Sequence, residues 1–167
     1  MHEGLPRITN LNIDGCAHLA LHTAAHYEHP EVCRPLLDQG FSVDERDRYG
    51  KTALHYAVQR ATLETINLLF DRGARIDGPD ELGQTPLHCA ARMASRGSGI
   101  KPLLSHGVNI DTEDSQGRTP LHLAGTNGND DIYKLLLDNG ADPEAKDCTG
   151  WTASQHLAKV RALRLEN

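Results

Sequence analysis

Apolar residues recur along the chain in two alternating settings. One is a short block that repeats as Leu19-Ala-Leu-His22, Thr52-Ala-Leu-His55, Thr85-Pro-Leu-His88 and Thr119-Pro-Leu-His122, with a worn fifth copy at Thr152-Ala-Ser-Gln155. The other is a Leu/Phe-rich run: Leu36-Leu37, Leu68-Leu69-Phe70, Leu103-Leu104 and Leu135-Leu136-Leu137. Polar, turn-rich stretches such as Asp44 to Gly50 and Asp77 to Gly83 separate a run from the next block. The pattern predicts helix, short turn, helix, then a projecting hairpin in every unit.

The four-residue blocks step by 33, 33, 34 and 33 residues. Two glycine series keep the same phase. Gly40, Gly73, Gly107 and Gly140 follow the Leu-rich runs, and Gly50, Gly83, Gly117 and Gly150 lie two residues before each Thr. Three markers in register define a repeat array. The Thr is suited to cap a helix through its hydroxyl, Pro86 and Pro120 suit the first helical position, and the His three residues on can reach back to the cap. The glycine after each run supplies a left-handed helix end. No unit can bury its apolar side alone, so stacking must hold the chain together.

The phase divides one domain, residues 1–167, into a lead-in (1–13), repeats at about 14–46, 47–79, 80–113 and 114–146, and a terminal partial repeat (147–167). The first unit is worn: Ala17 replaces the glycine and Leu19 the threonine. The third unit carries one extra residue around Ala94 to Gly99, and prolines fall inside two second helices, at Pro35 and Pro102. An interior proline can cost about 3 kcal/mol, so residues 94–101 are expected to be the softest joint. A single longer helix from Ala153 is expected to end the array.

These motifs identify the chain by resemblance. It resembles the ankyrin repeat, whose pattern runs Asp-x-x-Gly-x-Thr-Pro-Leu-His, Ala-Ala, then Leu-Leu-Leu-x-x-Gly-Ala; Asp80 to Ala91 and Asp114 to Ala124 follow it almost completely. The resemblance covers about residues 14–160 and implies an all-α solenoid of stacked helix-turn-helix units joined by β-hairpin loops. It also implies a concave surface, built from hairpins and first helices, that binds another protein.

Composition narrows the chemistry. Aromatics make up only 4% of the residues, so the core must be built from Ala and Leu. No stretch approaches the roughly 20 apolar residues of a membrane span, and Met1 to Asn10 lacks the layout of a secretory signal. A net charge of −6 gives no general push towards nucleic acid. Cys16, Cys33, Cys89 and Cys148 form no CxxC pair, which points to reduced thiols inside a cell, with Cys33 and Cys89 packed and Cys148 the exposed one. His18, His22, His26 and His29 suggest a metal set, but the phase explains His22, and His29 matches a His that commonly opens the family's second helix. No metal, cofactor or catalytic residue is assigned, because no nucleophile elbow, P-loop, zincin or dinucleotide motif is present. Two specialised activities of the family are disfavoured. A methyl-lysine cage needs several aromatics, and the Asn hydroxylated in other members is replaced by Asp44, Asp77, Asp111 and Glu144.

The resemblance also assigns the contact positions: the two residues after each hairpin Asp, the residue before the Thr, and two near the end of the first helix. The expected partner-binding residues are Tyr27, Arg48, Tyr49, Lys51, Arg60, Leu82, Arg92, Met93, Arg118 and Trp151. The full set of such positions holds six basic residues and one acidic one. The hairpin aspartates (14, 47, 80, 114, 147) would offset that excess if they faced the same way, but turn hydrogen bonds are their ordinary role. Tyr, Leu, Met and Trp supply apolar anchors. The expectation is a monomeric, intracellular, non-catalytic module that binds an acidic, partly apolar protein or peptide. The alternative is a structural or regulatory segment of a larger enzyme or channel.

Overall fold

The structure is a computed structural model that describes residues 17–60, 63–93 and 99–165. Its helices are α1 (Ala17–His26), α2 (Pro30–Asp38), α3 (Ala53–Arg60), α4 (Leu63–Asp71), α5 (Pro86–Arg92), α6 (Ile100–Ser105), α7 (Pro120–Asn127), α8 (Asp130–Asp138) and α9 (Ala153–Leu165). The odd-numbered helices pack one against the next through the whole stack. Each of α2, α4, α6 and α8 lies against the odd-numbered helix before it and forms the outer layer. One continuous apolar core runs between the layers. Leu54, Leu87 and Leu121 are among its fully buried members on the inner helices, and Ile66, Leu69, Leu103 and Leu136 among those on the outer ones. The architecture is the all-α solenoid that the sequence predicts.

The repeated Thr–His pair does two jobs at once. The Thr85 backbone N–H donates to His88 Nδ1 at 3.2 Å, which leaves the ring proton on Nε2, and Nε2 donates to the Arg118 carbonyl of the next unit at 2.9 Å. His55 and His122 repeat the arrangement with Thr52 and Gln84, and with Thr119 and Trp151. His22 makes the same forward bond, to the Lys51 carbonyl at 2.9 Å. In the last unit Gln155 Oε1 accepts from the Thr152 N–H at 2.8 Å, so it replaces the capping half of the histidine.

The expected hairpins are short. Among the described residues one isolated bridge forms, between Lys146 and Thr152. Each finger is held instead by its aspartate. Asp47 Oδ1 accepts from the amides of Tyr49 and Lys51, and Asp80, Asp114 and Asp147 accept from the equivalent amides. Neighbouring fingers are joined through their backbones, Glu81 N–H to the Tyr49 carbonyl, Ser115 to Leu82 and Cys148 to Gln116, at 2.9–3.0 Å. Gly83 adopts φ +74°, and a Cβ there would lie 2.8 Å from Ser115 N, so both its conformation and the approach of the next finger require glycine.

Where Ala17 replaces that glycine, the chain is already helical. α1 starts three residues earlier in the cycle than α3, since a residue with a Cβ avoids the left-handed turn. Pro102 also departs from expectation. It is the third residue of α6, in the first turn, where its missing N–H removes no helical bond. Pro35 is interior to α2, as predicted. The proposed soft joint lies mostly outside the described residues, but Gly99 is explained by packing: a Cβ there would collide with the Val58 carbonyl of α3.

Gly125 has the same role inside α7, where a Cβ would strike the Ala153 carbonyl of α9. Gly125→Ala is therefore expected to destabilise the protein by about 1–3 kcal/mol, although alanine is the better helix former. A melting midpoint equal to or above that of the parent would refute this.

Candidate partner-binding surface

Phase brings the predicted contact residues onto the fingers and the inner helices. Tyr49 and Leu82 occupy equivalent positions on adjacent fingers and are 51% and 57% exposed, so main-chain stitching sets two apolar side chains side by side at the tips. Arg48 lies over the Tyr49 ring, 4.8 Å from its centroid. Trp151, on the last finger, is covered in the same way by Lys159 of α9 at 5.3 Å and packs against His156. Arg60 and Arg92, at the ends of α3 and α5, are exposed; Met93 is half-buried. Arg60 reaches towards His26 Nε2, at 3.5 Å.

Two of the predicted bases are engaged inside the scaffold. Arg118 directs Nε and Nη2 to Asp114 Oδ2 at 2.9 and 2.7 Å, and Lys51 Nζ lies 4.0 Å from Asp80 Oδ2. The aspartates thus take the turn role through one oxygen and offset part of the basic excess through the other. Asp47 Oδ2 accepts from the Tyr56 hydroxyl at 2.6 Å, and Asp147 Oδ2 meets His156 Nε2 at 2.7 Å. Sequence reading missed Tyr56 and His156, although both lie nine residues after their aspartate. Burial alone would raise the pKa of Asp47, Asp114 and Asp147. The hydrogen bonds from these partners and from the turn amides outweigh it and hold all three below the ordinary carboxylate range.

The histidine-rich first unit builds an aromatic cluster. His26 meets the rings of Tyr27 and Tyr56 edge-on, with centroids 4.9 and 5.8 Å away, and His22 meets Tyr56 at 5.9 Å. Tyr27 is 61% exposed beside them. His29 bonds Glu31 at 2.8 Å; the His18 side chain lies outside the described part. Among the described residues no group of three or more His, Cys, Asp or Glu could hold a metal ion. Cys33 and Cys89 are buried, and Cys148 is exposed. Burial, with Glu31 nearby, pushes the Cys33 thiol up to about 11, and burial raises Cys89 as well, so neither forms a reactive thiolate at neutral pH.

Among the described residues no helix is long and apolar enough to cross a membrane. No curated protein matches the chain. A family model described as ankyrin repeats (3 copies) matches residues 5–80 and 77–147, most of the sequence. Members of that family are in general protein–protein interaction modules and are typically non-catalytic. With stacked helix pairs, aspartate-held fingers and Thr–His caps all recurring in one phase, the chain belongs to the ankyrin-repeat family.

Proposed function

We propose that the fingers and inner helices bind an acidic, partly apolar segment of another protein. The observation that carries this reading is the pair of exposed cation-covered rings, Arg48 on Tyr49 and Lys159 on Trp151, with Arg60 and Arg92 exposed on helices between them. A carboxylate can meet the cation while an apolar side chain packs on the ring, which supplies both register and anchorage. Lys51 and Arg118 act mainly as braces for the fingers, and Tyr27, Leu82 and Met93 add apolar contact. The module works as a monomer inside the cell. Buried thiols at Cys33 and Cys89, on separate units, suit a reducing compartment.

Selection from a random peptide display library is expected to enrich sequences that mix Glu or Asp with large apolar residues. The Arg60→Glu/Arg92→Glu variant should bind the selected peptide at least tenfold more weakly, with its melting temperature nearly unchanged and a shallower salt dependence. Enrichment of basic peptides, or equal affinity of parent and variant, would overturn the reading.

A further inference from the structure

The exposed cations at the contact positions fall into two groups with a neutral unit between them. In the second and third units Arg48, Arg60 and Arg92 are exposed, and Arg48 covers Tyr49. In the last unit Lys159 is exposed and covers Trp151. The contact positions of the fourth unit are Ser115, Gln116, Arg118, Thr126 and Asn127. The one cation among these five, Arg118, directs both Nε and Nη2 to the buried Asp114 carboxylate. The Thr126 hydroxyl and the Asn127 amide donate back to the His122 and Leu123 carbonyls of their own helix.

The stack sets the distance between the two groups. Inner helices in contact lie about 8–10 Å apart. Each finger has two backbone arms and is hydrogen-bonded to the next, so one unit also advances by about two inter-strand spacings, ~9–10 Å. The Tyr49 and Trp151 fingers are three units apart, which puts ~28 Å between the two covered rings. A peptide spans at most ~3.5 Å per residue, so about eight residues are the fewest that reach from one ring to the other.

Resting on the acidic, partly apolar partner proposed above, we infer that the partner segment is bipartite. It carries two acidic, apolar clusters, one for Arg48 and Tyr49 and one for Lys159 and Trp151, with centres no fewer than about eight residues apart. The stretch between them is neutral and crosses the fourth unit. A carboxylate placed there gains no cation, because Arg118 is already held by Asp114, which stays ionised well below the ordinary carboxylate range. A single cluster serves one group and leaves the other in water. A tethered second cluster binds intramolecularly, without a second loss of translational freedom.

Synthetic peptides with two Glu-Leu-Glu clusters joined by Ser/Gln linkers test this on the full chain, by fluorescence anisotropy. Peptides with cluster centres eight or twelve residues apart are expected to bind at least tenfold more tightly than one with centres four apart, or one with a single cluster. Trp151→Ala/Lys159→Gln should remove that advantage and change the affinity of the single-cluster peptide by no more than about twofold. Lys159→Gln alone, which leaves Trp151 packed on His156, should reduce the advantage. Equal binding at every spacing, or an advantage undiminished in both variants, would overturn the bipartite arrangement; the acidic reading stands if these peptides still bind better than Lys-Leu-Lys controls. No preference for Glu over Lys would remove both.

Discussion

Replacing His55 with Ala is expected to lower the unfolding free energy by about 3 kcal/mol or more. The ring is fully buried and holds two backbone groups of different units, the Thr52 N–H and the Gln84 carbonyl. Removing it strands one buried donor, the Thr52 N–H, at about 1–3 kcal/mol, takes one of two hydrogen bonds from the Gln84 carbonyl, which still accepts from the Asp80 N–H, and opens a cavity between α3 and α5. His55→Gln is expected to recover roughly half, since Gln155 shows that an amide oxygen serves the capping N–H in this setting. Urea unfolding of the three proteins measures this, and a His55→Ala midpoint close to the parent's would show that the pair is incidental to stability.

Acid should weaken the stack in two stages. Burial lowers the His55 pKa from its ordinary 6.5 to about 4, against the hydrogen bond to Gln84, and burial lowers His88 too. Below pH 6.5 the unfolded chain therefore binds protons that the folded chain refuses. The stability these rings supply at neutral pH falls steadily as pH drops from about 6.5 to 4. At about 1.4 kcal/mol per unit, His55 alone accounts for roughly 3 kcal/mol. The second stage begins below pH 4, where Asp47, Asp114 and Asp147, ionised in the fold to unusually low pH, take up protons and lose their turn bonds. Stability measured against pH should fall in the upper window in the parent and fall less in His55→Gln. A flat profile between pH 6.5 and 4 would mean that the buried rings accept protons without penalty.

The sequence makes legible whatever the backbone dictates. Left-handed glycines, threonines before helices and Leu-rich outer helices are fixed by main-chain geometry, so they return at each turn of the cycle and declare themselves by recurrence. Side-chain partnerships are harder to read because they join variable positions. Nothing in the period says that Arg118 folds back onto Asp114 while Arg48 stacks on Tyr49, since rotamer and local packing decide between a brace and an exposed cation. Tyr56 and His156 were hidden for the same reason: Cys89 and Leu123 occupy the corresponding places in the units between them, so no recurrence marks the role. The packing roles of Gly99 and Gly125 escaped notice because their requirement is a close approach by another helix, not a turn. Pro102 was misplaced because the phase alone does not fix where a shortened helix begins.

The forward bond of each histidine ends on a peptide oxygen, that of Lys51, Gln84, Arg118 or Trp151. An oxygen of that kind is common to all amino acids, so the joint between units is blind to which side chain stands there. An amine, an amide, a guanidinium and an indole already occupy the four places without disturbing the joint. Mutation can therefore change the side chain at these places, one unit at a time, without removing the oxygen on which the joint depends.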